Sequence, residues 1–235
     1  MRTRRLPITD LARICVLPND LQVHSLRQVK AGGQGPNYNP TRGQFAGIVN
    51  RQPGIFASER DPWDVVHSNI EKACRSEEEI KMNLPVAHQL YDYCESENVR
   101  ALELEGFPIS FSVGPKILCW SPALFVYPDR ITIPFLDLRR TRNLNRESRR
   151  VVFSLMHHAL RVNNPDYSDV TNEIFQFSKD PSRSIRAIPE DDMWLYTYDQ
   201  LEEMITRTQL LWLDVLVDRE MDLRKKSGGM KGDLL

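Results

Sequence analysis

Apolar positions recur with a helical period near both ends of the chain and crowd into short runs in the middle. Early on, the spacing predicts a helix near Leu21–Val29, and then Ala-Gly-Gly-Gln-Gly-Pro-Asn-Tyr-Asn-Pro-Thr-Arg-Gly (31–43) predicts a loop. Asp61-Pro62 predicts a helix start, with Asp as the cap and Pro where a missing N–H costs nothing, running to about Cys74. Ser76-Glu-Glu-Glu79 reads as a capping box opening a second helix, which Pro85 is expected to break or restart, with helix continuing to about Glu97. From 99 to 138 the chain turns β-rich, in runs punctuated by Gly106, Gly114-Pro115 and Pro128-Asp129. Ile117–Tyr127 and Ile131–Leu138 are expected to form an antiparallel hairpin turning at Pro128-Asp129. A helix at 146–162, a strand at Val170–Phe177 and a loop or edge strand at Ser182–Ile188 follow. Last comes a long amphipathic helix at about 199–226, entered through a Thr197/Gln200 capping box. Its apolar stripe is Leu201, Met204, Ile205, Leu211, Trp212, Val215, Leu216 and Leu223, too wide around Leu211, Trp212, Val215 and Leu216 to stay wet, so it is expected to cap the sheet or form a dimer seam.

These elements predict a mixed α/β (α+β) protein with a central, mainly antiparallel sheet flanked by helices and a long C-terminal helix. The expected division is an N-terminal extension with a Gly/Pro-rich loop (1–60), a principal core with the C-terminal helix (61–226) and a flexible tail (227–235). The 235 residues are enough for a sizeable core, and 41% hydrophobic content argues against wholesale disorder. A formal net charge of -1 implies no anionic partner globally, so any basic site must be local. Cys15, Cys74, Cys94 and Cys119 show neither CxxC nor zinc-ribbon spacing and are expected to be free thiols. No signal-like or membrane-spanning stretch is present, so the cytoplasm is the expected compartment and no membrane partner is expected.

Candidate chemistry centres on Ser-Pro-Ala-Leu-Phe-Val-Tyr-Pro-Asp-Arg-Ile-Thr-Ile-Pro-Phe-Leu-Asp-Leu-Arg, Ser121 to Arg139. With the helix and strand that follow, this stretch resembles the PD-(D/E)xK (restriction-endonuclease-like) nucleases over about residues 85–178. The resemblance implies a nuclease-like core in which two carboxylates hold Mg²⁺ and a lysine handles the attacking water. It places Ala123 at the first carboxylate, Asp137 at the second and Arg139 at the lysine, so the motif is degenerate. Alanine cannot ligate and arginine is a poor base. The literal Pro128-Asp129 fails as an alternative, because Asp129 sits in the turn and Asp137 at the far end of the strand. A migrated ligand, Glu173 or Gln176, can complete a Mg²⁺ site with Asp137, making Asp137 and Glu173 the catalytic candidates and Asp137 the metal candidate.

The second feature is basic: Arg139, Arg140, Arg142, Arg146, Arg149 and Arg150 fall within twelve residues, suiting phosphate recognition or a merely solvated face. His157 and His158 are adjacent on a helix and point apart, so they cannot share one metal. The 31–43 run fits no phosphate-loop pattern, and Trp194, Tyr196 and Tyr198 are expected to pack against the long helix rather than stack bases. The leading expectation is therefore a nucleic-acid-binding protein with a degenerate nuclease-like core and little or no metal-dependent cleavage. Two alternatives stand: an active Mg²⁺-dependent nuclease with a migrated ligand, or a non-enzymatic interaction or regulatory protein that dimerises or docks a protein partner through its C-terminal helix.

Overall fold

Two seven-residue strands, Ile131–Asp137 and Thr171–Phe177, are exposed only at their first residue. Strands buried on both sides need a covering layer on each face of the sheet, and that requirement organises the chain. The computed structural model describes residues 5–29, 37–52, 60–104, 106, 108–119, 123–190 and 194–228.

Helices α1 (Ile8–Ile14), α2 (Asn19–Gln28), α3 (Asn39–Gly43) and α4 (Phe45–Ile48) lead into strand β1 (Arg51–Gln52). Helices α5 (Trp63–Ala73) and α6 (Glu77–Ser96) follow, then β2 (Arg100–Leu102), β3 (Pro108–Ile109), β4 (Ile117–Leu118), β5 (Leu124–Val126) and β6 (Ile131–Asp137). Helix α7 (Arg146–Met156) continues into a π-helical turn, His157–Arg161, before β7 (Thr171–Phe177), β8 (Ile185–Pro189) and α8 (Tyr198–Gly228). The main sheet has strand order β1-β2-β5-β6-β7-β8, with β3 and β4 forming a separate pair. Three of its pairings are antiparallel, while β1·β2 and β6·β7 are parallel. The expected fold class is thus the observed one.

One face of the sheet carries Ile133, Phe135 and Ile174, packed against Leu11, Leu26, Phe153 and Trp212 of the helices α1, α2, α7 and α8. The other carries Phe125, Leu136, Phe175 and Phe177, packed with Phe45, Ile70 and Leu90 of α4, α5 and α6. The four cysteines are free thiols. Burial pushes Cys15, Cys94 and Cys119 up to about 12, so they are inert apolar fillers. No helix among the described residues is long and apolar enough to cross a membrane.

Several local expectations are corrected. Pro62 occupies the N-cap position of α5 rather than its first turn, and neither it nor Asp61 supplies a side-chain cap. Pro85 neither breaks nor restarts α6, which runs unbroken from Glu77 to Ser96. The buried stripe Asn83, Val86, Ala87, Leu90, Tyr91 and Cys94 keeps helical spacing from before Pro85 to beyond it, and tertiary packing outweighs one lost hydrogen bond. The expected first strand of the hairpin is divided. Leu124–Val126 pairs with β6 about the Pro128-Asp129 turn, but Ile117–Leu118 pairs with β3 instead. The expected loop at 31–43 ends in a helix, α3 from Asn39 to Gly43, while Pro122, the run up to 36 and the tail from 229 lie outside the described residues.

The start of α6 carries a pH-dependent tie. The Ser76 hydroxyl accepts from the Glu79 N–H (3.2 Å), and the Glu79 carboxylate accepts from the Arg75 guanidinium (3.1 Å), the Arg75 N–H (2.8 Å) and the Asn37 N–H (3.2 Å). The Arg75 side chain, then these amides, hold the Glu79 carboxyl down at about 2. A depressed acid stabilises the fold above its unfolded value, about 4.3, and that contribution disappears as pH falls through the folded value. Urea midpoints should therefore drop for the wild type between about pH 4 and 2. Glu79→Gln should begin lower and drop less, so that the two curves converge in acid. Parallel curves would show that Glu79 does not carry this titration.

Candidate functional site

Asp137 ends β6 with its side chain fully buried, directed to the face that carries Phe135. Its Oδ1 accepts from Nε of Arg139 at 2.8 Å and its Oδ2 from the Leu144 N–H at 3.1 Å, with Nε2 of Gln176 at 3.5 Å. The Arg139 guanidinium also reaches Oδ1 of Asp10 on α1 at 3.2 Å, and Asp10 takes a second ion pair from Arg13. Arg139 is therefore occupied in fastening the end of β6 to α1, across a sequence separation of 129 residues.

Glu173 lies on the other face. In the parallel register Pro134 pairs with Glu173 and Asp137 with Gln176. Three residues separate Asp137 from the position opposite Glu173, and an odd separation along a strand reverses the face. The offset along the strand is roughly 10 Å as well. Glu173 accepts from the Tyr127 hydroxyl (3.0 Å) and the Thr132 hydroxyl (3.2 Å), and the Tyr93 hydroxyl lies 3.1 Å from that of Tyr127. Burial pushes the Glu173 carboxyl up, against the lowering effect of the Tyr127 hydroxyl and Arg130. The structure thus does not bring the two catalytic candidates together. Ala123 is buried in the cluster on the Glu173 face, so a carboxylate there would not meet Asp137 either. Among the described residues no group of three or more His, Cys, Asp and Glu is placed to hold a metal ion. Gln176 does share the face of Asp137, but its amide Nε2 is directed at the Leu144 carbonyl (2.9 Å).

The arginine cluster is divided in the same way. Arg139 points inward, and Arg150 lies over the Tyr196 ring (3.8 Å to the centroid) and donates to the Trp194 carbonyl. Arg149 is half-buried, and burial, then Arg186 and Arg146, lower its pKa. Arg140 is exposed and donates to the Lys179 carbonyl (3.0 Å). Arg142 is exposed at a left-handed backbone position (φ 61°), and Arg146 is exposed in the first turn of α7. What faces solvent is an edge of Arg140, Arg142 and Arg146. Next to Arg150 stands Trp194, at 84% exposure. Packing of Trp194 against the long helix is not observed. Of the three alternating aromatics, Tyr196 lies beneath Arg150 and Tyr198 stacks on Phe111 (5.5 Å), while Trp194 remains outside. His157 has its pKa lowered by burial, then by Arg161 and His158, and His158 Nε2 donates to the Tyr196 carbonyl (3.0 Å). Both are framework groups.

An exposed tryptophan beside arginines has the composition of a protein-contact surface, where Trp, Tyr and Arg carry most of the binding energy. Sequence reasoning marked the arginines and weighed Trp194, but placed it against the long helix rather than on the surface. No residue pattern around it marks that exposure: Glu190, four positions before it, is largely buried in an ion pair with Arg161.

Residues 9–222 match the family described as sliding clamp-binding bacterial toxin SocB. The DNA replication inhibitor toxin SocB of Caulobacter vibrioides (strain NA1000 / CB15N) is 32% identical over 231 residues, which are 97% of this chain and 97% of that protein. No solved structure matches the chain. These matches overturn the resemblance to PD-(D/E)xK nucleases, and with it the reading as a nuclease-like, nucleic-acid-binding protein whose main partner is nucleic acid. The non-enzymatic interaction alternative fits them better.

Proposed function

Because the chain belongs to the SocB family of sliding clamp-binding bacterial toxins, we propose that it binds a sliding clamp in the bacterial cytoplasm and inhibits DNA replication through that contact. The family match across residues 9–222 carries this reading. The geometry supports it: the carboxylates that a nuclease would need lie on opposite faces of the sheet, and an exposed Trp194 stands next to Arg150, residue types that carry protein interfaces. Inhibition of this kind works by occupancy. Each toxin molecule withholds one binding position from the replication proteins that use the clamp, so the effect scales with stoichiometry rather than with turnover.

The test is a titration of the purified protein into a clamp-dependent DNA synthesis reaction, together with calorimetry against the isolated clamp. Saturable binding to the clamp without DNA is expected. Inhibition should be relieved by added clamp and left unchanged by added duplex DNA. Relief by DNA but not by clamp would return nucleic acid as the target and reject the proposal. Trp194 is the most exposed large apolar side chain among the described residues, so Trp194→Ala is the first variant to carry into the calorimetry.

A further inference from the structure

We propose that the outer stripe of α8 is the seam of an antiparallel homodimer. The inner side of this helix is committed to the body, with Leu201, Ile205, Trp212, Val215 and Leu216 buried. A second stripe runs along its outside. Leu210 (49% exposed), Val217 (46%) and Met221 (48%) are separated by seven and four residues, and half-exposed Leu213 lies between them, so all four share one helical face. The stripe extends about 17 Å along the axis, at 1.5 Å per residue. Nothing else described in the chain covers it. Large apolar side chains aligned in this way, rather than scattered, mark an interaction face.

Charge at the two ends of the stripe selects the occupant. On the same face, toward the N-terminal end, stand exposed Asp199 and Glu203; toward the C-terminal end stand exposed Arg224 and Lys225. A second copy laid antiparallel, with Leu210 level with Val217, brings Glu203 level with Arg224 and next to Lys225, and it does so twice by symmetry. A parallel copy would set acid beside acid and base beside base. Arg224 already pairs with Glu220 at 3.2 Å, but both are exposed and a guanidinium fork can serve two carboxylates. Antiparallel pairing also opposes the two helix dipoles favourably. Asp214 flanks the middle of the stripe and in this register stands beside its own copy at the two-fold axis, a like-charge cost that makes the association reversible rather than obligate.

Sedimentation velocity of the full chain from about 1 to 100 µM reads this out, a range that covers reversible dimers. The expected result is a concentration-dependent rise from monomer to dimer mass. Val217→Lys, at an exposed position that leaves the core untouched, should raise the dissociation constant tenfold or more. Glu203→Lys should weaken association. Combining it with Arg224→Glu and Lys225→Glu should restore association, because in an antiparallel dimer each end meets the other. That restoration is specific to self-pairing. A monomer throughout the range, no effect of Val217→Lys, or no rescue by the triple reversal would overturn the proposal. So would a monomeric chain in which Val217→Lys weakens binding to the clamp, which would assign the stripe to that partner. The inference is independent of clamp binding, since the sedimentation experiment contains none.

Discussion

Replacing Asp137 with alanine should destabilise the protein by about 1–3 kcal/mol, the usual cost of stranding a buried hydrogen-bond donor, because Arg139 keeps a second carboxylate partner. The Asp137 side chain has no exposed surface, and its carboxylate receives the Arg139 guanidinium and the Leu144 N–H. Alanine removes both acceptors. The Leu144 amide has then lost a buried partner, and Arg139 retains only Asp10. Denaturant unfolding of the wild type, Asp137→Ala, Arg139→Met and the combination Asp137→Leu/Arg139→Met would measure this. Each single change should be costly, and the combination should cost clearly less than their sum, because a shape-filling apolar pair leaves no stranded charge. Clamp affinity of the folded Asp137→Ala protein should equal that of the wild type. Additive costs would dissolve the pair. A variant of normal stability that fails to bind would move Asp137 from the framework into the functional surface.

The same residue shows where sequence reasoning ran out. Local features were legible because local chemistry sets them. The Ser76 cap on α6, the Thr197/Gln200 box before α8, the turn at Pro128-Asp129 and the strand ending at Phe177 are all written in neighbouring residues. The site depended on what is not local. Whether Asp137 and Glu173 can share an ion is decided by the parallel register of β6 and β7, strands separated by a whole helix, and no residue near either one specifies it. Whether Arg139 is free to meet a phosphate is decided by Asp10 on α1. Pro85 misled for the opposite reason: its local preference is strong, but the packed stripe around it is stronger. The function was the least legible part. The proposed clamp contact would need no metal ligands, no nucleophile and no motif spacing, and an exposed Trp194 is recognisable only once the fold shows it to be exposed.

Trp212→Ala should be the most damaging substitution in the C-terminal helix, costing about 3–5 kcal/mol for a large aromatic removed from a filled core. The Trp212 side chain is 2% exposed, in one cluster with Leu201, Ile205, Val215 and Leu216 from its own helix and with Leu11 and Leu26 from α1 and α2. Arg219 lies over the ring at 5.3 Å from its centroid and donates to the carbonyls of Arg27 (2.8 Å) and Val29 (2.9 Å), while the Thr208 hydroxyl donates to Gln22 Oε1 at 3.2 Å. The helix is therefore fastened to α2 along its length, and Trp212 is the bulk that fills the space between them. Loss of the indole leaves a cavity ringed by rigid elements that cannot close around it. Trp212→Phe keeps most of that volume and should cost clearly less. Because α8 covers the same sheet face as α7, the loss should be felt across the whole molecule. Thermal melts followed by far-ultraviolet circular dichroism and by near-ultraviolet aromatic signals should shift together and remain a single transition. If the helical signal melted early while the aromatic core kept its wild-type midpoint, α8 would be a detachable appendage. The outer stripe proposed as a dimer seam would then have no rigid support, since its geometry depends on this inner anchoring.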